Sequence, residues 1–260
     1  MFLCSYFTAD KQENMNVDKK FLEEQKELIN LVDDKINSIS RIGHYRESYE
    51  RIVEALTYVY YMGVSGNIAE FGTWTGRTSI ILSHAFTTLN QKFKSYKLNS
   101  KRELYFFDSF KGLPEITSSE DLASEHVKAG TWKKGSMMMH DYQTFKELID
   151  NFASPDTFKV IPGYFSDVVP SIAKEVKFGF IHCDVDLYSS TIDCLTPLFA
   201  NKAVTEGCII LFDDWNCSRA NNNVGQRKAF RDICDKFSVY FSDEGAYSYH
   251  GRSFIIHNYR

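Results

Sequence analysis

The sequence predicts an α/β fold: a doubly wound, mostly parallel sheet of seven strands with a C-terminal antiparallel hairpin and an N-terminal helical extension. Five short apolar runs are bounded by Gly, Pro or Asp, which is typical of strands buried on both faces of a parallel sheet. Amphipathic stretches of helical period separate these runs, as βαβ units require. The 260 residues suffice for one large domain.

The helical extension is predicted over residues 1–62 and the main domain over residues 63–260. Apolar residues recur at helical spacing over residues 17–36 and again over residues 47–63, where Gly63 marks an end. The predicted strands are NIAEFG, ELYFFDSF, TFKVIPGYF, KFGFIHCDV and GCIILFDDW, and the helices between them are TSIILSHAF, YQTFKELIDNF, SDVVPSIAKEV, STIDCLTPLF and GQRKAFRDICDKF.

Three segments lie outside this alternation. The runs FSVYFSD and YSYHGRSFIIHN predict the terminal hairpin, with its turn at Glu244 and Gly245. Residues 87–103 are polar and predicted to be a loop. Residues 114–140 form a long polar insert, and inserts of this length are usually functional, for instance as a lid, or disordered.

Composition limits the classes of partner. The formal charge of −4 gives no indication of nucleic-acid binding. No apolar run reaches the ~18 residues of a membrane helix, and MFLCSYF has the features of neither a signal peptide nor an anchor. The six cysteines show no metal-type spacing, so a reduced, cytoplasmic setting is expected. The N-terminal helices could pack on their own domain, cover the site or pair with another subunit, which leaves a homo-oligomer open.

The first strand ends in a glycine turn, Glu70-Phe71-Gly72-Thr73-Trp74-Thr75-Gly76, and a helix is predicted to begin near Arg77. Glycines allow close approach of a ligand, and a helix N-terminus favours a carboxylate or phosphate. The GxxxG spacing differs from the GxGxxG of NAD-binding proteins. The turn indicates a nucleotide-like ligand, although an ordinary βα turn is the alternative.

Polar residues also follow the second and third strands. Asp108 is placed to accept hydrogen bonds from ribose hydroxyls, or else it is a turn or cap residue. After the third strand, Phe165 could pack on an adenine ring and Ser166 could reach the edge of that ring. The alternatives are that Phe165 is core and that Ser166 or Asp167 caps the next helix.

Carboxylates follow the fourth and fifth strands. Asp184 and Asp186 follow the fourth, and Asp213 and Asp214 follow the fifth. Because parallel strands end at one edge, these side chains should converge, and they repel one another unless a cation joins them. Hard oxygen ligands favour Mg²⁺, Mn²⁺ or Ca²⁺. Capping is the alternative, and Asp186 could cap the helix starting near Ser189.

At this point the chain resembles the macrocin O-methyltransferase family, the sugar O-methyltransferases of macrolide tailoring. The matching stretches are GVSGNIAEFGTWTGRTS, FFDSFKGLPE, IPGYFSDVVP, DVDLYSSTIDCL, and ILFDDW followed by GQRKAF, in the family's order over residues 63–230. Several motifs in the same order are far more specific than any one of them.

The resemblance implies a Rossmann-like class I methyltransferase fold that binds S-adenosylmethionine. It implies that Asp184, Asp213 and Asp214 hold a divalent cation, usually Mg²⁺ with Mn²⁺ as the second choice, whose coordination two sugar hydroxyls complete. The residues expected at the cofactor are Glu70, Gly72, Thr73, Gly76, Thr78, Ser79, Asp108, Ser109, Gly163, Phe165, Ser166 and Asp184.

The expected reaction is metal-assisted methyl transfer to a sugar hydroxyl, with Asp184, Asp213 and His140 as the catalytic residues. His182, His250 and His257 are other candidates for the base. The acceptor could be a nucleotide-activated sugar, a surface-polysaccharide sugar or a sugar of a glycosylated natural product. Two alternative hypotheses are a catechol-type methyltransferase and a non-catalytic cofactor-binding protein. The first is disfavoured because the Lys usual in catechol enzymes is replaced by Leu187. Another departure is His182, where the family usually has Arg.

Overall fold

The computed structural model describes residues 46–93 and 101–260 of the chain. The strands in this part are β1 (Asn67–Phe71), β2 (Leu104–Asp108), β3 (Phe158–Pro162), β4 (Phe178–Cys183), β5 (Val204–Phe212), β6 (Tyr240–Tyr247) and β7 (Gly251–Asn258). The helices are α1 (Arg46–Tyr61), α2 (Arg77–Lys92), α3 (Ser119–Leu122), α4 (Glu125–Lys128), α5 (Tyr142–Ile149), α6 (Phe165–Ile172), α7 (Tyr188–Ala200) and α8 (Gly225–Phe237).

The strands form one sheet in the order β3-β2-β1-β4-β5-β7-β6. Strands β1 to β5 are parallel, and β7 runs antiparallel to both of its neighbours. The predicted doubly wound fold with a C-terminal hairpin is therefore confirmed. From β1 to β3 the strands are added on one side of β1, and from β4 onwards they are added on its other side. Ligands of such sheets bind at the carboxyl edge near this change of side, between β1 and β4.

The hairpin turn is not where the sequence predicted it. Glu244 and Gly245 lie inside β6, where the pairing register shifts, and Gly245 adopts a φ of 93°. The turn itself occupies residues 248–250, and Ser248 has a φ of 55°. The glycine thus accommodates an irregularity within the strand, which gives the same sequence signal as a turn.

The core consists of two apolar layers, one on each face of the sheet. On one face, Leu56 of α1 and Phe86 of α2 pack with Phe106 of β2. On the other face, Phe107 and Phe212 pack with residues of α7 and α8. Burial on both faces explains why the strands read as continuous apolar runs rather than as alternating patterns.

Helix α1 is the second of the two helices predicted for the N-terminal extension, and the structure confirms it. Val59 and Leu56 are fully buried, and the helix packs on α2 and on the sheet. The helix predicted over residues 17–36 lies outside the described residues. No helix in the described ranges combines the length and apolar character needed to cross a bilayer.

The insert is an ordered element docked on the domain. It contains α3 and α4, and the side chain of Trp132 is buried against Leu113 and Leu187. The carboxylate of Asp121, which is 1% exposed, accepts hydrogen bonds from the backbone N–H groups of Tyr188 (2.7 Å) and Ser189 (3.2 Å). The insert therefore caps the N-terminus of α7.

The loop predicted over residues 87–103 is partly wrong. Helix α2 continues to Lys92, because Leu89 and Phe93 are buried against the core and extend its apolar face. Residues 94–100 lie outside the described part of the chain.

Candidate functional site

A cavity of about 930 Å³ opens at the carboxyl edge of the parallel strands. Its wall is built from the segments that follow β1 to β5, from the insert, from the hairpin turn, and from Ser48 and Tyr49 of α1. The predicted cofactor residues that line it are Gly72, Thr73, Thr78, Asp108, Ser109, Gly163, Phe165, Ser166 and Asp184. A cavity of this size is within the range of small-molecule sites.

The glycine turn brings three strand ends together. The N–H of Gly72 donates to the carbonyl of Phe107 at 2.9 Å, and the N–H of Asp184 donates to Phe71 at 3.0 Å. Gly72 has a φ of +83°, and a Cβ added there would overlap the carbonyl oxygen of Asp184. Only glycine fits at the point where β1 passes this close to β4.

Helix α2 starts directly after the turn, with Gly76 as its N-cap residue. No described side chain caps its first turn, and that turn carries no acidic residue. Thr78 in the same turn lines the cavity. The N-terminal end of a 16-residue helix therefore lies at the site without a side-chain cap from its N-cap residue, which suits a carboxylate.

Gly76 was expected at the cofactor but is not in the described cavity wall, and the same holds for Glu70 and Ser79. Glu70 and Ser79 are fully buried, and the Ser79 hydroxyl donates to the Glu70 carboxylate. The other oxygen of that carboxylate lies 3.1 Å from Nδ1 of His182. Burial opposes protonation of His182, but its hydrogen bond and attraction to Glu70 outweigh burial and raise its pKa above 6.5. The three side chains tie β1, α2 and β4 together.

Asp108 acts as a turn residue, which is one of the two roles that the sequence left open, and its ribose role stays a prediction. Its Oδ2 accepts hydrogen bonds from the backbone N–H of Thr73 at 2.8 Å and from the Thr73 hydroxyl at 3.0 Å. Its Oδ1 accepts from the N–H of Phe110 at 2.7 Å. Asp108 thus stabilises two turns while lining the cavity beside Ser109. Oδ1 retains capacity for one further donor, whereas Oδ2 already accepts two hydrogen bonds.

The segment after β3 contributes Gly163, Phe165 and Ser166 to the wall. Phe165 begins α6, its ring meets Phe71 edge-on at 5.7 Å, and Tyr164 is the N-cap residue without a side-chain cap. The capping alternative for Ser166 is therefore wrong. Phe165 packs partly against the core and also lines the cavity with Ser166, so its contact with adenine stays a prediction.

The structure brings Asp184, Asp186, Asp213 and Asp214 into one wall of the cavity. Burial first, and repulsion from its neighbours second, raise the pKa of Asp214 to about 6 and the pKa values of Asp184 and Asp186 well above the ordinary value. Asp214 accepts a hydrogen bond from the backbone N–H of Asp186 at 2.9 Å. Asp186 does not cap α7, whose N-cap residue is Leu187.

Convergence of these carboxylates does not by itself make a metal site. Among the described residues, no group of three or more His, Cys, Asp or Glu side chains is arranged to hold a metal ion. The cation therefore stays a prediction that rests on the chemistry of the carboxylates.

The histidines fall into two groups. His140, predicted to be catalytic, is not in the cavity wall, and Nε2 of its ring contacts the carbonyl oxygen of Thr75 at 3.2 Å. His257 hydrogen-bonds to Ser242 in the hairpin at 2.7 Å. By contrast, His250 lines the cavity, with Nδ1 hydrogen-bonded to the carbonyl of Asp213 and 3.7 Å from Oδ2 of that residue.

Sequence reasoning missed several residues of the cavity wall. His126 comes from the insert, Asn216 and Arg219 follow β5, and Tyr249 belongs to the hairpin turn. None of these positions carries a local signal, because tertiary folding of the insert and the hairpin brings them to the site.

Comparisons with known proteins agree with this geometry. Residues 3–240 match the family model described as macrocin O-methyltransferase (TylF). A relative from Streptomyces olivaceus, described as 8-demethyl-8-(2,3-dimethoxy-alpha-L-rhamnosyl)-tetracenomycin-C 4'-O-methyltransferase, is 24% identical over 177 residues. That match covers 68% of this chain and 63% of the relative, which is less than two thirds of its length.

Solved structures show the same fold. The O-methyltransferase NovP has a TM-score of 0.65 and 20% identity, with 82% of this chain and 80% of that chain covered. The calicheamicin methyltransferase CalS11 has a TM-score of 0.62 and 18% identity, with 91% of each chain covered. The apo form of CalS11, described as a TDP-rhamnose 3'-O-methyltransferase, has a TM-score of 0.52 and 18% identity over 91% of this chain and 93% of that one.

Proposed function

The chain belongs to the macrocin O-methyltransferase family, and from that premise we propose that it transfers a methyl group from S-adenosylmethionine to a sugar hydroxyl of a glycosylated small molecule. One observation carries the proposal. A single cavity is lined both by the glycine turn with the start of α2 and by the carboxylates that follow β4 and β5. The first group suits the methyl donor, and the adjoining carboxylates suit the acceptor.

The residues that would hold the donor follow from their positions. The N-terminus of α2 suits the methionine carboxylate, and Asp108 accepts hydrogen bonds from ribose hydroxyls. Phe165 and Ser166 suit adenine. Bound here, S-adenosylmethionine supplies an electrophilic methyl group. Glu70, Ser79 and His182 act beneath the turn by fixing the backbone that the donor would contact.

The acceptor hydroxyl must lose a proton as its oxygen bonds to the methyl carbon and the bond from that carbon to sulfur breaks. We assign this proton to Nε2 of His250 rather than to His140. The hydrogen bond from Nδ1 to the carbonyl of Asp213 leaves Nε2 as the acceptor nitrogen of the neutral ring. Nε2 is buried in this structure, so the ring must shift for an acceptor hydroxyl to reach it. Holding the donor and the acceptor together in one cavity would supply a further part of the rate enhancement.

We further propose that Asp184, Asp213 and Asp214 hold a divalent cation, which would lower the pKa of a bound hydroxyl. The donor set supports it, because hard carboxylate oxygens suit Mg²⁺ or Mn²⁺. Burial first, and repulsion between the carboxylates second, raise the pKa values of Asp184 and Asp214, and a cation would offset both effects.

The first test is binding of the donor. S-adenosylmethionine or its demethylated product, at about 100 times its Kd, is expected to stabilise the folded protein by about 2.7 kcal/mol and to raise Tm. Differential scanning fluorimetry measures this shift, with NAD⁺ as the control ligand. A shift with NAD⁺ and none with S-adenosylmethionine would overturn the assignment.

The second test is the pH dependence of cation binding. Because the folded chain raises the pKa of Asp214 from 3.8 to about 6, protons favour the folded state, and this contribution to stability is lost as pH rises through 6. A cation that needs ionised carboxylates should therefore raise Tm more at pH 7.5 than at pH 5. The measurement is Tm with and without MgCl₂, against NaCl of equal ionic strength. Equal shifts at both pH values would refute the cation.

A catechol-type reaction is the second candidate, and the structure offers it no support. Leu187, at the position where catechol enzymes carry their Lys, is 1% exposed and packs against Trp132 and Leu113 of the insert. That position serves the docking of the insert.

A further inference from the structure

Two buried polar atoms near the carboxylates that follow β4 and β5 have no part in the proposed function. Among the described residues, neither Nε2 of His182 nor Oη of Tyr247 has a hydrogen-bond partner. His182 is fully buried, and Tyr247 is only 6% exposed. A buried polar group without a partner is costly, and nearly all such groups in folded proteins bind a protein group or an ordered water. Each of the two atoms therefore requires a partner.

The side chain of Tyr247 extends from β6 across β7 toward β5. Tyr247 pairs with Gly251 of β7. Continued by one residue, the register between β5 and β7 brings Gly251 opposite Asp213. A Cβ on Gly251 would overlap the ring of Tyr247, so the ring lies over a position that has no side chain. The phenol hydroxyl is thereby directed at Asp213.

The charges around the phenol agree with this direction. Burial first, and the negative charge of Asp213 second, raise the pKa of Tyr247 well above the ordinary value of a phenol. Asp184 and Asp214 have smaller effects of the same sign. The hydroxyl of Tyr247 therefore stays protonated and remains available as a hydrogen-bond donor beside these carboxylates.

The imidazole of His182 approaches the same place from β4. His182 lies on the same face of the sheet as Tyr247, because Phe180, two residues before it in the strand, packs in the same core layer as Tyr247. Nδ1 of His182 lies 3.1 Å from the carboxylate of Glu70 in β1. Nε2 is on the far side of the ring and is therefore directed away from β1, toward β5, which ends at Asp213.

The carboxylate of Asp213 has no group that orients it, although its backbone is fixed. The N–H of Asp213 donates to the carbonyl of Cys183 at 3.1 Å, and its carbonyl accepts from Nδ1 of His250. Within the part of the chain that the structure describes, its carboxylate accepts no hydrogen bond, and its Oδ2 lies 3.7 Å from Nδ1 of His250. The neighbouring carboxylate of Asp214, by comparison, is held by the N–H of Asp186 at 2.9 Å.

We propose that one water binds between Oη of Tyr247, Nε2 of His182 and the carboxylate of Asp213, and that Tyr247 thereby acts as a positioning residue for Asp213. A water suits this place because it both donates and accepts, so it satisfies Nε2 in either protonation state of the imidazole. Three polar partners are typical of a buried water. The water site stands on the geometry alone, whereas the use of an oriented Asp213 for a cation rests on the proposed function.

The first test compares crystal structures of the wild type and of Tyr247→Phe, which removes the hydroxyl and keeps the ring over Gly251. In the wild type we expect an ordered water about 2.7–3.2 Å from Oη of Tyr247, from Nε2 of His182 and from a carboxylate oxygen of Asp213. In Tyr247→Phe we expect this water to be lost or displaced and the carboxylate of Asp213 to change its orientation.

The second test measures what the orientation of Asp213 does in solution. Protein is titrated with Mn²⁺ and binding is followed by electron paramagnetic resonance. Loss of an outer partner of a metal ligand costs about 10–100-fold in affinity, so the Kd for Mn²⁺ should rise at least about tenfold in Tyr247→Phe.

Tyr259→Phe is the matched control, because the hydroxyl of Tyr259 donates to the carbonyl of Val204 at 2.7 Å, away from the cavity wall. It should keep the Kd for Mn²⁺ within about twofold of the wild type. Neither variant should change the Kd of S-adenosylhomocysteine, which reports an intact donor site.

Three results would overturn the inference: a wild-type structure without the water, a direct hydrogen bond between Tyr247 and His182, or the same orientation of Asp213 in wild type and Tyr247→Phe. An unchanged Kd for Mn²⁺ in Tyr247→Phe would overturn the positioning role. A wild type that binds no Mn²⁺ would instead refute the proposed cation, and the orientation of Asp213 in the two crystal structures would then decide the inference by itself.

Discussion

Replacing Gly72 by alanine is expected to abolish binding of S-adenosylmethionine and to lower the free energy of unfolding by about 4 kcal/mol. At a φ of +83° an L-residue costs about 1–2 kcal/mol. The added Cβ would also overlap the carbonyl oxygen of Asp184, and forced overpacking costs about 1–3 kcal/mol. Relief of that overlap must move the ends of β1 and β4 apart, which displaces the turn that would hold the donor.

The Gly130→Ala variant tests the backbone strain at a positive φ without a steric overlap of the added Cβ. Gly130 has a φ of +74°, but no atom of the described residues lies within 4 Å of a Cβ placed there. It should lose only about 1 kcal/mol and keep donor binding. Urea unfolding and calorimetric titration measure the two quantities, and equal losses in both variants would show that the approach of β1 to β4 is not what Gly72 provides.

The second large effect is expected from Glu70→Gln, which leaves a buried His182 without its counter-charge. Removal of one member of a buried ion pair costs about 3–5 kcal/mol. The raised pKa of His182 means that the stability contributed by its charged form is fully present below pH 6.5 and is lost as pH rises through its folded pKa. The difference between wild type and variant in urea unfolding should therefore be large at pH 6 and smaller at pH 8.

Glu103→Gln is the matched control on the surface. Glu103 pairs with Lys159 at 3.0 Å, but the two side chains are 27% and 50% exposed. Solvent screens such a pair, so its loss should cost less than about 1 kcal/mol. If the two Glu-to-Gln variants lost similar stability, or if the loss in Glu70→Gln did not depend on pH, the buried pair would not have the importance assigned to it.

The sequence was sufficient for the fold and for the half of the site built from strand ends. Continuous apolar runs identify parallel strands, and topology then places Gly72, Asp108 and Asp184 at one edge whatever the details of packing. The sequence did not show which side chains near the strand ends are buried beneath the site. Glu70 stands in the glycine motif, but its side chain turns inward to His182, and only the sheet register that pairs these two residues reveals it.

The part of the site that does not follow the strand ends could not be predicted from local sequence patterns. His126 and Tyr249 reach the cavity through docking of the insert and of the hairpin turn, and neither contact has a sequence period. His140 misled for the same reason, because its place in the insert pointed to a lid, whereas its ring rests on Thr75. Gly245 misled because a glycine within an irregular strand and a glycine in a turn look alike in sequence.

The contact of Asp121 with the start of α7 has a consequence for exchange of parts between relatives. The insert is held to the start of α7 by hydrogen bonds from the backbone N–H groups of Tyr188 and Ser189, a few residues after the carboxylates that follow β4. A chimera that carries the insert of a relative must therefore also carry a residue that accepts hydrogen bonds from those two N–H groups. Without one, we expect the graft to destabilise the start of α7 next to the acidic cluster, so the insert and that helix should be exchanged together.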